Sequence, residues 1–353
     1  MAVYVNGRFL TEEPTGVQRF AEQLVVGLGE LRDDVVVLTP PGARTLRRAN
    51  IRVEAFGSGN AFKWEQCDLP ARLRRAGSPL LVNLGNRAPL VYRHQISTLH
   101  DLLPMRFGDN FSLRFRLQFR VIAAVGVVRR SHRVLTVSDA AAAEIRAFYG
   151  LPESRTAVVH NAVDHRSDPR TGPGSSAIAG ATPYVLAFGR AGRHRNAGVT
   201  IEAVGRLLER TTLRLVLVGS PDPILMREAA RLGDRCVFTG RVSDADLEAL
   251  YRGASCFVAP SLYEGFDIPP LEAQRAGAPV IASQIDVHRE VLRDAALYFD
   301  PSDPDDLTQQ IERVLAHPEL RSRLIALGRE NSARFDWGRS AAELNRVIVE
   351  TDA

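Results

Sequence analysis

Short runs of branched apolar residues alternate with helical patterns along this chain, and the alternation occurs twice. After an opening Met-Ala-Val-Tyr-Val-Asn strand, the first set is Val35–Leu38, Ile51–Phe56, Leu80–Leu84, Ile96–Leu99, Arg133–Val137 and Ala157–His160. The second set is Tyr184–Phe188, Arg214–Val218, Cys236–Thr239, Ser255–Ala259, Pro279–Ala282 and Leu297–Phe299. These runs are continuously apolar, as strands covered on both faces are. Helical patterns between most of them make βαβ units and parallel sheets. A stretch dense in Pro, Gly and Ser separates the two sets and reads as a linker. The pattern predicts an α/β chain of two Rossmann-like, doubly wound domains facing across a cleft. Their expected bounds are 1–168 and 183–337, joined by a linker over 169–182. Glu319–Phe335 and Ser340–Val349 carry apolar residues at helical spacing, and the last helix, 338–353, is expected to pack back onto the first domain. In such sheets ligands bind beyond the carboxyl ends of the strands, so chemistry is sought in the loops there.

Composition removes several function classes. With 45% hydrophobic and 24% charged residues, the chain is neither disordered nor fibrous. A net charge of +4 over 353 residues is no nucleic-acid footprint. All but one of the 45 basic residues are arginine, Lys63 being the exception, a bias that a GC-rich genome explains. Any cationic site must therefore rely on guanidinium groups. Cys67, Cys236 and Cys256 are widely spaced and match no metal-ligand pattern; Cys236 and Cys256 lie in apolar runs typical of buried strands, and the three read as core thiols of a reducing compartment. There is no signal-peptide pattern and no apolar run near the roughly 20 residues of a membrane span. A cytoplasmic location is expected.

Four loops hold candidate chemistry. Thr15 can cap a helix whose apolar face is Val17, Phe20, Ala21, Leu24 and Leu28, and Gly16 leaves room for a ligand at its first turn. His100-Asp101 follows a strand directly; a site histidine and a turn histidine beside a capping aspartate both fit. Gly189-Arg-Ala-Gly-Arg-His-Arg-Asn196 places two glycines and four residues of cationic capacity after a strand, as a polyanion site would. Its spacing is that of neither a dinucleotide fingerprint nor a P-loop. The sharpest signal is Ser261-Leu-Tyr-Glu-Gly-Phe-Asp-Ile-Pro-Pro-Leu-Glu-Ala273. Glu264 lies in a loop after a strand. Glu272 is expected in the first turn of a helix started by Pro269-Pro270, where the dipole would favour it.

Two further features invite misreading. Asp244-Ala-Asp246 and Asp303-Pro-Asp305 spell the Asp-x-Asp of metal-dependent sugar transferases, but each precedes a helical pattern and reads as a cap. Residues 111–130 interleave Phe111, Leu113, Phe115, Leu117 and Phe119 with Arg114, Arg116 and Arg120. They fit a buried helix, or an interfacial helix on an anionic membrane.

The two glutamates eight apart resemble the signature of the retaining glycosyltransferase family 4, the group 1 glycosyltransferases of GT-B fold, and their mannosyltransferase-like bacterial members. The likeness runs through most of the chain. Gly16-Val-Gln-Arg resembles that family's first glycine loop, and His100-Asp101 stands where a histidine often lies beside the donor. Val137-Ser138 and His160-Asn-Ala-Val-Asp164 resemble its markers near the domain crossing. Gly240-Arg241-Val242 resembles its nucleobase-binding stretch. The resemblance implies that Arg190 and Arg195 hold a donor diphosphate, with Glu264 and His100 at the transferred sugar. It implies donor contacts from Gly16, Gly189, Gly240, Arg241, Gly265, Phe266, Asp267, Ile268 and Glu272, with Glu272 on the ribose. Members usually have lysine at the position of Arg195; arginine keeps the charge in a planar fork.

The implied activity is hexosyl transfer, of mannosyl or glucosyl type, from a GDP- or UDP-sugar to an acceptor hydroxyl. No metal and no other cofactor is implied. The acceptor expected is a lipid-linked saccharide of a bacterial surface polysaccharide, or a small secondary metabolite. A sugar-nucleotide epimerase or hydrolase and a non-catalytic sugar-nucleotide-binding subunit are the alternatives.

Overall fold

The computed structural model describes residues 2–46, 50–163, 182–189, 192–220 and 222–352. They divide into two units, Met1–Ala162 with Phe335–Ala353, and Val163–Arg334. The expected linker, 169–182, lies almost wholly outside the described residues.

The first unit is built on a seven-stranded sheet. Its strands are β1 (Val3–Asn6), β2 (Val35–Thr39), β3 (Ile51–Ala55), β4 (Leu81–Asn83), β5 (Gln95–Thr98), β6 (Arg133–Thr136) and β7 (Thr156–Val158). The order is β3-β2-β1-β4-β5-β6-β7, and every pairing is parallel. Strand order therefore reverses between β1 and β4. The central strands are buried along their length, as unbroken apolar sequence requires. At the edge, β3 exposes Arg52, Val53 and Ala55. Its Ile-Arg-Val-Glu-Ala sequence alternates, which corrects its reading as a strand covered on both faces.

Helix α1 (Gly16–Leu31) follows β1 and buries Phe20, Leu24 and Leu28. The stretch expected as one helix over 111–130 divides into α2 (Leu113–Val121), capped by Ser112, and a π-helical turn over Ile122–Arg129. Its inner side buries Phe119, Ile122, Ala123 and Val127. Its outer side exposes Leu113 (67%), Leu117 (53%) and Val121 (51%), which are four residues apart and so share one face. Arg114 and Arg120 are exposed beside them.

The second unit has a six-stranded parallel sheet of β8 (Tyr184–Phe188), β9 (Arg214–Val218), β10 (Cys236–Phe238), β11 (Cys256–Ala259), β12 (Val280–Ser283) and β13 (Leu297–Phe299). The order is β10-β9-β8-β11-β12-β13, with the reversal between β8 and β11. Cys236 opens the edge strand and is only half-buried, whereas Cys256 is fully buried; burial pushes their thiols up to about 11 and about 12. Cys67, in the first unit, is exposed. Helices include α3 (Ala197–Leu207), α4 (Asp244–Gly253), α5 (Ile268–Ala276) and α6 (Asp286–Leu292). Both Asp-x-Asp motifs lie at helix starts, Asp303 as the cap itself and Asp244-Ala-Asp246 as the first turn behind the cap Ser243. Ser243 Oγ accepts from the Asp246 N–H at 3.1 Å, and Asp303 Oδ1 accepts from the Asp305 N–H at 2.8 Å.

The chain then completes the first unit with α7 (Trp337–Asp352). Trp337 meets Phe20 of α1 edge-on at 6.4 Å, and Arg32 Nη1 donates to Asn345 Oδ1 at 3.1 Å. Phe335, expected at the end of a helix, lies beyond it: that helix spans Pro318–Ser332, and the Phe335 ring is buried against His160 at 5.7 Å. Among the described residues, no helix is long and apolar enough to cross a membrane.

Candidate active site

In the second unit, the loops after β8 and β11 leave neighbouring strands at the point where strand order reverses, the usual ligand crevice of such a sheet. Backbone chemistry holds the first loop in place. Gly192 has φ +121°, and a Cβ there would sit 2.9 Å from the His194 ring, so only glycine fits. Asn196 adopts φ +51°, which asparagine tolerates better than most residues. Its Nδ2 donates to the carbonyls of Pro260 (3.1 Å) and Pro301 (2.8 Å), and the Leu262 N–H donates to the His194 carbonyl (2.7 Å). The two loops are thereby stitched together.

The stitching brings Arg195 to Glu264 across 69 positions of sequence. Arg195 Nη1 donates to Glu264 Oε1 at 2.6 Å, and Ser261 Oγ donates to the same oxygen at 2.9 Å. Burial pushes the Glu264 carboxyl up to about 7, against the pull of Arg195. His194 is no part of a cationic cluster: it is buried, and burial followed by the charge of Arg195 pushes its imidazole down to about 4. That corrects its count as a residue of cationic capacity. Arg190 lies outside the described residues.

Asp267 extends the cluster. It takes φ +69° immediately before α5, and its Oδ2 lies 3.0 Å from Nε2 of the fully buried His288. The other ring nitrogen of His288 is 2.9 Å from the Ser283 carbonyl. Acceptors thus face both nitrogens. Burial works against the charged ring, but the hydrogen bond and charge of Asp267 hold its pKa above the ordinary value. Ser283 Oγ lies 3.1 Å from His288 Nδ1 and donates to the Ser261 carbonyl. One chain of hydrogen bonds therefore runs from Asp267 through His288, Ser283 and Ser261 to Glu264 and Arg195. Gly265 and Phe266 are buried within the same loop, and Ile268 begins α5.

Glu272 is the fifth residue of α5, in its second turn rather than the first. The favourable dipole of a first turn therefore does not explain it. Its Oε2 accepts from Tyr251 of α4 at 3.3 Å, and Tyr251 packs edge-on against Phe257 of β11. Gly189 and Gly240 follow β8 and β10. The Gly189 N–H donates to the Val218 carbonyl (2.9 Å), and the Gly219 N–H donates to Gly240 (3.0 Å), which has φ +68°. Arg241 is exposed next to them.

The remaining two candidates belong to the first unit. Gly16 is the first residue of α1. The His100 ring is buried, with Nε2 3.0 Å from the Leu84 carbonyl and Phe20 edge-on at 4.8 Å. Burial pushes it down to about 4, so it is neutral near pH 7 and Nε2 carries its proton. Asp101 forms no relay with it and instead accepts from the Leu103 N–H at 2.8 Å.

Sequence reasoning did not single out His288, Ser283, Ser261 or Tyr251 as site residues. Only Ser261 had a signal, as the first residue of the glutamate motif.

Comparison with known proteins bears on the family and the fold. Residues 171–331 match the family model described as glycosyl transferases group 1, and residues 14–167 match that of glycosyltransferase family 4. The O-antigen chain mannosyltransferase RfbU of Salmonella typhimurium is 30% identical over 79% of this chain and 76% of its own length. WaaG, a glycosyltransferase involved in lipopolysaccharide biosynthesis, superposes with a TM-score of 0.74 at 16% identity, covering 99% of both chains. Anabaena HepE in complex with UDP and glucose gives 0.73 at 19%, again over 99% of both.

Proposed function

The chain belongs to the group 1 glycosyltransferases, family 4, and on that premise we propose a retaining transfer of a hexosyl group from a nucleoside diphosphate sugar to an acceptor hydroxyl. The acceptor belongs to a bacterial surface polysaccharide under assembly in the cytoplasm. The observation that carries this reading is the Arg195–Glu264 pair at the strand-order reversal of the second sheet. A guanidinium has five N–H donors, and the carboxylate takes only part of them. Arg195, with Arg190, offers the rest to the donor diphosphate, along with the N–H groups that open α5. These charges stabilise the leaving diphosphate as negative charge builds on it, with no metal ion needed.

Glu272, steadied by Tyr251, accepts from the ribose hydroxyls, and Gly240 and Arg241 border the base. Glu264 and the backbone of Gly265, Phe266, Asp267 and Ile268 hold the transferred sugar. Gly189 brings its backbone beside the diphosphate, its missing Cβ making room for Leu217. In the first unit, Gly16 takes a role toward phosphate or acceptor, and the neutral His100 a role toward the sugar. The likeness to an O-antigen mannosyltransferase supports a mannosyl donor, whereas UDP and glucose bound to HepE support a UDP-hexose. A thermal-shift screen of GDP, UDP, TDP and ADP selects the donor, and the matching sugar nucleotides are then assayed with and without EDTA. Transfer that survives EDTA is expected. Consumption of donor with no acceptor present would instead identify an epimerase or hydrolase.

The exposed face of Leu113, Leu117 and Val121, with Arg114 and Arg120, rests on anionic lipid and brings the enzyme to a lipid-linked acceptor. Flotation with vesicles containing anionic lipid is expected at low salt, with Leu117→Glu remaining unbound. Equal recovery of both proteins from the vesicle fraction would remove the membrane contact.

A further inference from the structure

The first unit has a charged pocket of its own, to which the roles above assign nothing. It lies beyond β1 and β4, where the first sheet reverses strand order, and with Glu12 in place its free volume is only about 20 Å³. Arg8, Glu12, Gln18, Glu65 and Arg87 line it. Glu65 is fully buried and fixed: its Oε2 accepts from Arg8 Nη1 at 2.6 Å and its Oε1 from Asn6 Nδ2 at 3.1 Å. That balances one guanidinium, and among the described residues only Glu12 balances the other. The Nε of Arg8 is buried and makes no hydrogen bond among the described residues. Arg87 has Glu12 Oε1 3.7 Å from its Nε, beyond hydrogen-bond length. The same oxygen lies 4.0 Å from Arg8 Nε. Burial, and then the charge of Arg8, lower the pKa of Arg87, as expected of a cation short of acceptors.

The carboxylate between the two guanidiniums comes from an irregular segment. Glu12 lies between a 3-10 turn over Gly7–Thr11 and the start of α1, belongs to no helix or strand, and leaves a third of its side chain exposed. Its other oxygen accepts from Gln18 Nε2 at 2.7 Å. Two arginines and an amide thus converge on the carboxylate of one partly exposed loop residue. We propose that this pocket binds an oxyanion of the acceptor, a phosphate or a carboxylate, and that Glu12 holds its place until it enters. Withdrawal of Glu12 leaves Glu65 facing two guanidiniums, a net positive site whose forks suit bidentate contact. That the ligand is the acceptor rests on the transferase reading; the anion binding itself does not.

Calorimetric titration of the full-length protein with inorganic phosphate, and separately with acetate, tests this. Arg195→Ala serves as a common background that weakens the second unit's diphosphate site; Arg190 and the N–H groups of α5 are the same in every variant, so only differences between variants are read. Glu12→Gln is expected to tighten binding about tenfold by removing the internal competitor, and Arg87→Gln to abolish it. Whichever probe binds more tightly names the oxyanion. Unchanged affinity in Glu12→Gln overturns the proposal, even if Arg87→Gln fails to fold. Binding of the expected pattern in a protein that transfers no sugar keeps the pocket and removes only its assignment to an acceptor.

Discussion

Replacing Arg195 with alanine lowers turnover roughly 10²- to 10³-fold, the usual loss when one preorganised donor to a developing oxyanion is removed. The fold should survive, because Arg195 is partly exposed and its only described ion-pair partner is Glu264. Without the guanidinium, the Glu264 carboxyl rises above about 7, since the pull of Arg195 is what restrains it. It is then protonated over a wider range of pH. In the wild-type protein, lowering the pH through 7 neutralises Glu264 and frees Arg195 for phosphate. Affinity for the nucleoside diphosphate should therefore rise on acidification, and Glu264→Gln should flatten the profile. Single-turnover rates separate this from a folding defect. Arg195→Lys keeps the charge and should retain far more activity than alanine. An alanine variant with wild-type turnover would remove Arg195 from the mechanism.

Asp267→Ala should be the most destabilising single change in the second unit's site. It leaves the buried His288 ring without its carboxylate, a loss of about 3–5 kcal/mol when one partner of a buried pair is removed and the ring is protonated. It also places alanine at φ +69°, a conformation costing about 1–2 kcal/mol for an ordinary side chain. Asp267→Asn separates the two effects, since asparagine tolerates that backbone but brings no charge. The pH dependence has a definite sign. The folded-state pKa of His288 is raised, so the pair's stabilisation is complete below the ordinary imidazole value and is lost as pH rises through the raised one. Melting curves of wild type and Asp267→Asn should therefore converge at alkaline pH. A gap that is constant with pH would show that Asp267 acts through backbone shape alone.

The sheets were legible because parallel strands covered on both faces leave unbroken apolar runs. Tyr184–Phe188, Arg214–Val218 and Leu297–Phe299 are strands at the bounds their sequences suggest. Failures occur where apolar residues serve something other than a sheet or helix interior. Ile51–Ala55 is an edge strand, and Phe335 leaves its helix to cover His160. The loops were legible as places, because strand ends are where such folds bind ligands. Their contents were not. Arg195 reaches Glu264 only because Asn196 and the Leu262 N–H bind the two loops together, and hydrogen bonds between distant loops leave no local pattern. His288 sits in an unremarkable helix, and its role depends on the unusual backbone of Asp267. Arg8 and Arg87 were hidden by abundance, since arginine in a chain nearly devoid of lysine draws no notice.

The terminal helix, Trp337–Asp352, has a practical consequence for recombination among relatives. It packs its tryptophan on Phe20 and its Asn345 on Arg32, so the first unit is encoded in two separated pieces of the gene. A chimaera made with a single crossover would pair one parent's Phe20 surface with another parent's closing helix. Exchanging the first unit while keeping the second requires two junctions, near 162 and 335, with both outer pieces inherited from the same parent.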